Sequence, residues 1–211
     1  MINVKAAIIW SFFFFYKRAN LVTIVFKVIG PAEVGLALNN RLLMAKNFAR
    51  ARHEGQRYGE FPYHVHLDDV EKLAQPFGIN AMVVAQLHDI LEDTTTSFDE
   101  LVTDFGELVA LAVSYLTDPV GGDRKSKKKQ LYQRFTTLDP VEEAARLALI
   151  VKACDRLANV KASRLFHPPK YALYQSEHPE FRKAAYRVGL CEMVWWELDM
   201  LIEVGDKIGR Y

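Results

Sequence analysis

Residues 87–94 read LHDILEDT, and the way this stretch interrupts an apolar run decides what kind of fold surrounds it. Just upstream, Met82–Ala85 (MVVA) is apolar, so His88, Asp89, Glu92 and Asp93 fall at the C-terminal end of a helix that reads as buried. His88 and Asp89 are neighbours, about 100° apart around a helix, and their side chains can reach one ion. Glu92 and Asp93 follow them by four residues, one turn along the same face. Burying this many ionisable groups is expensive unless they are paired or hold a metal. The competing reading is a helix end that has simply become wet and acidic, and ligands elsewhere in the chain decide between the two.

Working outward, helical period recurs wherever the sequence is informative. Leu38, Leu42, Ala45, Ala49 and Arg52 share one face of a first helix that ends near Gly55. A polar segment, GQRYGEFP (55–62), leads to a short helix over about 65–75, stopped by Pro76 and Gly78. Asn80 is placed to cap the helix that carries LHDILEDT. Ser97 and Glu100 have the spacing of a capping box for the next helix, which Gly106 interrupts. Residues 108–117 (LVALAVSYLT) are apolar enough to be buried, and 118–129 (DPVGGDRKSKKK) read as a loop that becomes basic. Asp139-Pro140-Val141-Glu142 predicts a helix start, with the helix running to about Ser163 before Pro168-Pro169. A last long helix is expected from near Pro179, carrying Val188, Cys191, Val194, Trp195, Leu198, Leu201 and Ile202. No segment shows sustained strand alternation. The fold class is therefore all-α, one bundle of about eight to ten helices.

The chain has 211 residues, 50% hydrophobic and 25% charged, which suits one soluble globular core. Lys+Arg 27 against Asp+Glu 26 leaves no charge bias, so nucleic acid is not an expected partner. Cys154 and Cys191 match no metal spacing or disulfide framework, which points to a reducing compartment, the cytoplasm. The apolar runs 6–16 (AAIIWSFFFFY) and 21–26 (LVTIVF) fall short of the roughly 18–20 uninterrupted residues that span a bilayer. Stable membrane insertion is not expected. Residues 1–34 read as an apolar extension, with an upstream translation start, a signal peptide without a cleavage site and a membrane anchor as the alternatives. Residues 35–211 form the domain.

Two further stretches place polar groups where core residues belong. YHVH (63–66) holds His64 and His66, and KACDRLANV (152–160) sets Asp155 and Arg156 inside an apolar helix, with Asn159 one turn beyond. Taken alone, Asp155 is as well read as half of an ion pair. Taken together, a histidine from one helix, a His-Asp pair from a second and an aspartate from a third suit Mn²⁺, Fe²⁺ or Zn²⁺, with positions left for water and substrate.

The ordered set HEGQ (53–56), YHVH (63–66), LHDILEDT (87–94) and KACDRLANV (152–160) resembles the HD-domain phosphohydrolases, and among them most nearly the RelA/SpoT hydrolase domain and the small metazoan SpoT homologue. The similarity runs from about Leu38 to Asn159. It implies a single HD-domain bundle in which His66, His88, Asp89 and Asp155 hold a divalent metal, Mn²⁺ first and Fe²⁺ or Zn²⁺ next. It implies that Glu92 and Asp93 are the acidic pair of hydrolases that remove pyrophosphate from guanosine 3′-diphosphate 5′-diphosphate. His53 matches a histidine beside the site, Asn159 a residue of the nucleotide pocket, and Arg57 an arginine after the family's Gly-Gln. Leu67 stands where family members usually carry proline, a departure expected at the substrate mouth. His64 matches no ligand and is expected as a half-exposed helix start.

Phosphoryl transfer needs charge stabilisation and positioning, so cations near the metal are candidate phosphate partners. Arg124 and Lys128 lead within the run 124–129, against a solvated basic face as the competing reading. Arg156 is expected in a structural ion pair, and Cys154 and Trp195-Trp196 in packing roles. The expected partner is a small nucleotide, and the oligomeric state is open. The alternatives are a phosphatase of another nucleotide, such as a nucleoside monophosphate or NADPH, and a non-catalytic nucleotide sensor. A pure binder has no need of a water-activating acid such as Glu92. The segment after Asn159 is too short for a synthetase domain, so none is expected.

Overall fold

The computed structural model describes residues 31–208 apart from position 120, so the expectation of an apolar extension, which rests on residues 1–30, lies outside the described residues. Among the described residues there are ten α-helices and one two-stranded ribbon. In chain order these are α1 (Pro31–Arg52), β1 (Arg57–Tyr58), β2 (Phe61–Pro62), α2 (His64–Ala74) and α3 (Ile79–Leu87). They continue with α4 (Ile90–Asp93), α5 (Phe98–Phe105), α6 (Glu107–Leu116) and α7 (Arg124–Thr137). The last three are α8 (Glu143–Phe166), α9 (Pro168–Ala185) and α10 (Glu192–Ile208). The chain divides into two units, 1–40 and 41–211. In the first, the described residues are the opening turns of α1, with Leu36 and Leu38 exposed. The second holds everything below.

Helix α8 is the centre of the larger unit. Every residue from Leu147 to Ala158 is buried, so the helix has no solvent face over that span. It packs against α2, α3, α6, α9 and α10. The sequence explains this, because LALIVKAC and LANV leave no polar stripe for water. Leu149 and Leu157 are 1% and 0% exposed. Leu157→Ala is expected to destabilise the unit by about 2–5 kcal/mol, read from the midpoint of urea unfolding.

The expected all-α fold is present, and several element boundaries differ. LHDILEDT is not one helix: α3 stops at Leu87, Asp89 adopts φ −100°, ψ 0°, and α4 restarts as a single turn whose Glu92 and Asp93 amides donate to the Asp89 carbonyl. Asn80 lies inside α3 rather than capping it, its side chain accepting from Arg41 and donating to Glu143. Gly78 (φ 91°) makes the entry turn instead. The basic run is helical, because the Asp123 carboxylate caps α7 by accepting from the Ser126 amide. The expected start at Asp139-Pro140 is a turn held by Val141 N–H to Asp139 Oδ1, and α8 begins at Glu143. The last helix is two: Pro168-Pro169 open α9, which continues through Pro179, and Cys191 (φ 47°) separates it from α10. Trp195 is buried against Phe181 and Tyr186, whereas Trp196 is 61% exposed and packs into no core. Ser97 caps α5 as expected, but the Glu100 carboxylate turns to Arg52 rather than back to the cap. No helix of the described residues is long and apolar enough to cross a membrane.

Candidate metal centre and active site

Three elements deliver the polar groups to one place. Helix α2 supplies His66, the end of α3 supplies His88 and Asp89, and the middle of α8 supplies Asp155. Donor atoms of His66, His88 and Asp155 all lie within 4.8 Å of one another. His66 Nε2 is 3.3 Å from Asp155 Oδ1, and His88 Nε2 is 3.7 Å from the same oxygen. Asp89 Oδ2 completes the group at 3.0 Å from His88 Nε2 and 3.9 Å from His66 Nε2. The helix break after Leu87 turns Asp89 toward this group.

The donor set fits a divalent cation. His88 Nδ1 lies 2.7 Å from the Ala85 carbonyl, which fixes the ring and aims Nε2 inward. That Nε2 is buried and makes no hydrogen bond, which in a polar cluster calls for an ion. Without an ion the charge falls on the imidazole. Burial opposes its protonation, but Asp89 and Asp155 outweigh burial and push His88 up to about 10. The two carboxyls move the other way. His88 holds Asp89 below its ordinary range against burial, and Lys152, with the two histidines, holds Asp155 well below.

A ring of buried and half-buried groups holds these ligands. Lys152 Nζ binds Asp155 Oδ2 at 2.9 Å, and Asn159 Nδ2 donates to Asp155 Oδ1. Tyr63 donates to Asp89 Oδ2 at 2.5 Å and lies 3.2 Å from Asp93 Oδ2. Burial, then Asp89, pushes the Tyr63 hydroxyl far above its ordinary value, so it remains a donor. His53 is buried, stacks on Tyr63 at 4.7 Å and binds Gln56 Oε1 through Nδ1, while Gln56 Nε2 donates to the Asp93 carbonyl. Tyr58 stacks on His66 and donates to Asn159 Oδ1. Sequence alone assigns no role to Tyr58, Tyr63, Gln56 or Lys152. Gln56 and Tyr63 sit within two of the quoted stretches, and Lys152 lies three residues before Asp155 on the same helix face.

Glu92 and Asp93 are exposed at the edge of this group. Burial of part of each carboxyl raises both above the ordinary range, and for Asp93 the Asp89 charge adds to it. Glu92 Oε2 accepts from the Asp118 amide, and Asp118 in turn binds Lys128 at 3.1 Å. Arg124 pairs with Glu177, which also binds Arg156. Arg156 donates to the Tyr132 hydroxyl and lies over the Tyr174 and Phe181 rings, the structural role expected of it. Arg124 and Lys128 also line a cavity of about 820 Å³ between α7 and α9. Arg57 is exposed and donates to the Glu60 carbonyl within its own ribbon, so it does not join the central cluster. Leu67 is fully buried in α2, so the departure from proline lies in the core and not at a substrate mouth. His64 is half-buried at the start of α2.

A helical unit that gathers His, His-Asp and Asp from three helices around one point is the arrangement of the HD-domain hydrolases. No family model matches the chain. It is 33% identical over 154 residues to guanosine-3′,5′-bis(diphosphate) 3′-pyrophosphohydrolase of Aquifex aeolicus, covering 69% of this chain and 21% of that protein. It is 30% identical over 127 residues to the MESH1 enzyme of that name in Danio rerio, covering 57% of this chain and 67% of the relative. The mouse MESH1 protein is 33% identical over 128 residues, 57% of this chain and 68% of the relative. The chain thus spans about a fifth of the bacterial relative and two thirds of the animal ones. A solved structure described as a metazoan ortholog of SpoT that hydrolyses ppGpp has the same fold, with TM-score 0.67 at 19% identity over 78% of this chain and 94% of that one. The chain belongs to the guanosine-3′,5′-bis(diphosphate) 3′-pyrophosphohydrolase family, which includes the small MESH1 proteins.

Proposed function

We propose that this chain is a metal-dependent hydrolase that removes pyrophosphate from guanosine 3′-diphosphate 5′-diphosphate. The observation that carries the reading is the convergence of His66, His88, Asp89 and Asp155 beside Glu92 and Asp93. His66, His88, Asp89 and Asp155 would hold the ion, taken as Mn²⁺ before Fe²⁺ or Zn²⁺ because two imidazoles and two carboxylates suit a hard-to-borderline cation. When bound, such an ion supplies Lewis-acid charge and acidifies water.

The residues do the rest. Glu92 keeps Oε2 on the Asp118 amide, which leaves Oε1 to orient the attacking water and take its proton. The water oxygen adds to the inner phosphorus of the 3′-diphosphate. The bond from that phosphorus to the ribose 3′-oxygen breaks, releasing guanosine 5′-diphosphate and pyrophosphate. Asp93, raised by burial and Asp89, is the carboxyl placed to return a proton to the 3′-oxygen. Tyr63 spans Asp89 and Asp93 and keeps both acids in register, and His53 supports the Tyr63 ring. Lys128 and Arg124 offer charge to phosphate from α7, Arg57 from the ribbon, and Asn159 faces the nucleotide. Two free, buried cysteines support a place in the cytoplasm, and the charge balance supports a small-molecule partner rather than nucleic acid.

Mn²⁺-loaded protein incubated with the nucleotide should release one pyrophosphate per guanosine 5′-diphosphate. Release of phosphate from NADPH or a nucleoside monophosphate, with no turnover of guanosine 3′-diphosphate 5′-diphosphate, would assign a different substrate. Lys128→Ala is expected to raise KM about 5–13-fold with a smaller change in kcat, because one charge-assisted phosphate contact contributes about 1–1.5 kcal/mol at a half-buried site.

A further inference from the structure

Resting on the metal centre proposed above, we infer that Tyr58 is a positioning residue that holds two of its ligands at once, gripping the His66 ring by stacking and the Asp155 carboxylate through Asn159. The two histidines are held differently. His88 is fixed by its Nδ1 contact to the Ala85 carbonyl, 2.7 Å away. His66 has no such tether, and among the described residues no hydrogen bond holds its Nδ1. What lies against it is the Tyr58 ring, centroid to centroid 4.6 Å and 16° from parallel, with Tyr63 edge-on at 5.9 Å. A ligating imidazole free to rotate loses affinity for its ion, so a flat ring pressed on it substitutes for the missing hydrogen bond.

The same tyrosine reaches the second ligand. Its hydroxyl donates to Asn159 Oδ1 at 2.8 Å, which orients the amide so that Nδ2 donates to Asp155 Oδ1, the oxygen nearest both histidines. Tyr58 is itself well fixed. It pairs with Phe61 across a two-residue turn in which Gly59 takes φ 60°, and Lys170 Nζ lies 5.5 Å from its ring centroid. The ribbon thus acts as a clamp on α2 and α8, and one side chain carries it.

The test is a Mn²⁺ titration of metal-free wild type, Tyr58→Phe and Tyr58→Ala, with thermal unfolding and steady-state kinetics alongside. Tyr58→Phe keeps the stack and loses the hydroxyl, so it should bind Mn²⁺ about 3–10-fold more weakly. Tyr58→Ala loses both and should bind about 10–100-fold more weakly, with kcat recovered at saturating Mn²⁺. Because Tyr58 is half-buried on an otherwise exposed ribbon, the unfolding temperature should hardly move, and Tyr58→Phe decides the matter if the alanine variant does not fold. Wild-type affinity in both variants overturns the inference and leaves the metal centre standing. A raised KM with unaltered Mn²⁺ affinity also overturns it, giving Tyr58 to the substrate. A wild type that binds no Mn²⁺ removes the metal centre and the clamp together.

Discussion

Asp155→Asn is expected to abolish metal retention and lower kcat/KM by about 10³-fold or more. A divalent ion contributes several kcal/mol of transition-state stabilisation, and each 1.36 kcal/mol is a factor of about ten. Asp155 is the side chain of the proposed metal centre that is hardest to replace, since its Oδ1 faces both histidines and its Oδ2 is bound to Lys152. The substitution has a second consequence. Lys152 is 9% exposed, and Asp155 is its ion-pair partner, so the variant strands a buried ammonium. Breaking a buried pair from one side costs about 3–5 kcal/mol, which a urea titration would register. His66→Ala separates the two effects. It removes a ligand without stranding a cation, so activity should fall comparably while stability falls less. Equal loss of stability in both variants would show that Lys152 is not held as described.

Glu92→Gln should lower kcat by about 10²–10⁴-fold while leaving Mn²⁺ bound, because an acid–base group contributes about that much and Glu92 is not among the donors. Glutamine retains the size of the side chain, and its amide oxygen still accepts from Asp118 N–H, so the connection from α4 to the segment after α6 survives. What is lost is an oxygen able to take a proton. Nucleotide binding at full strength beside lost turnover separates a hydrolase from a nucleotide sensor. Unchanged kcat in Glu92→Gln would move the proton-accepting role to Asp93, which Tyr63 holds 3.2 Å away.

The convergence of His66, His88 and Asp155 was legible in the sequence for a specific reason. Aspartate and histidine inside apolar helices demand a partner, and His88, Asp89 and Asp155 each interrupt a run of buried residues. The all-α class followed from helical spacing, because α8 and its neighbours keep that spacing throughout. The break at His88–Asp89 did not show, since nothing in LHDILEDT forbids a continuous helix; the tertiary demand on Asp89 overrides local preference. The cap at Asp123 was hidden by Gly121-Gly122, which read as loop and masked the helix starting at Arg124. Tyr58 and Tyr63 escaped notice because aromatic residues beside a glycine turn resemble ordinary loop packing. Their roles rest on His66 and Asp89, contacts across 8 and 26 positions that no local pattern encodes. Leu67 misled in the opposite sense: a departure next to a ligand pointed at the substrate, yet α2 turns that side chain into the core.

The most direct measurement is elemental analysis of the natively purified protein beside its His66→Ala variant. One divalent transition-metal ion per wild-type chain, absent from the variant, is the predicted result. A wild-type chain with no such ion, or a variant that retains it in full, would contradict the claim that these four side chains form a metal centre.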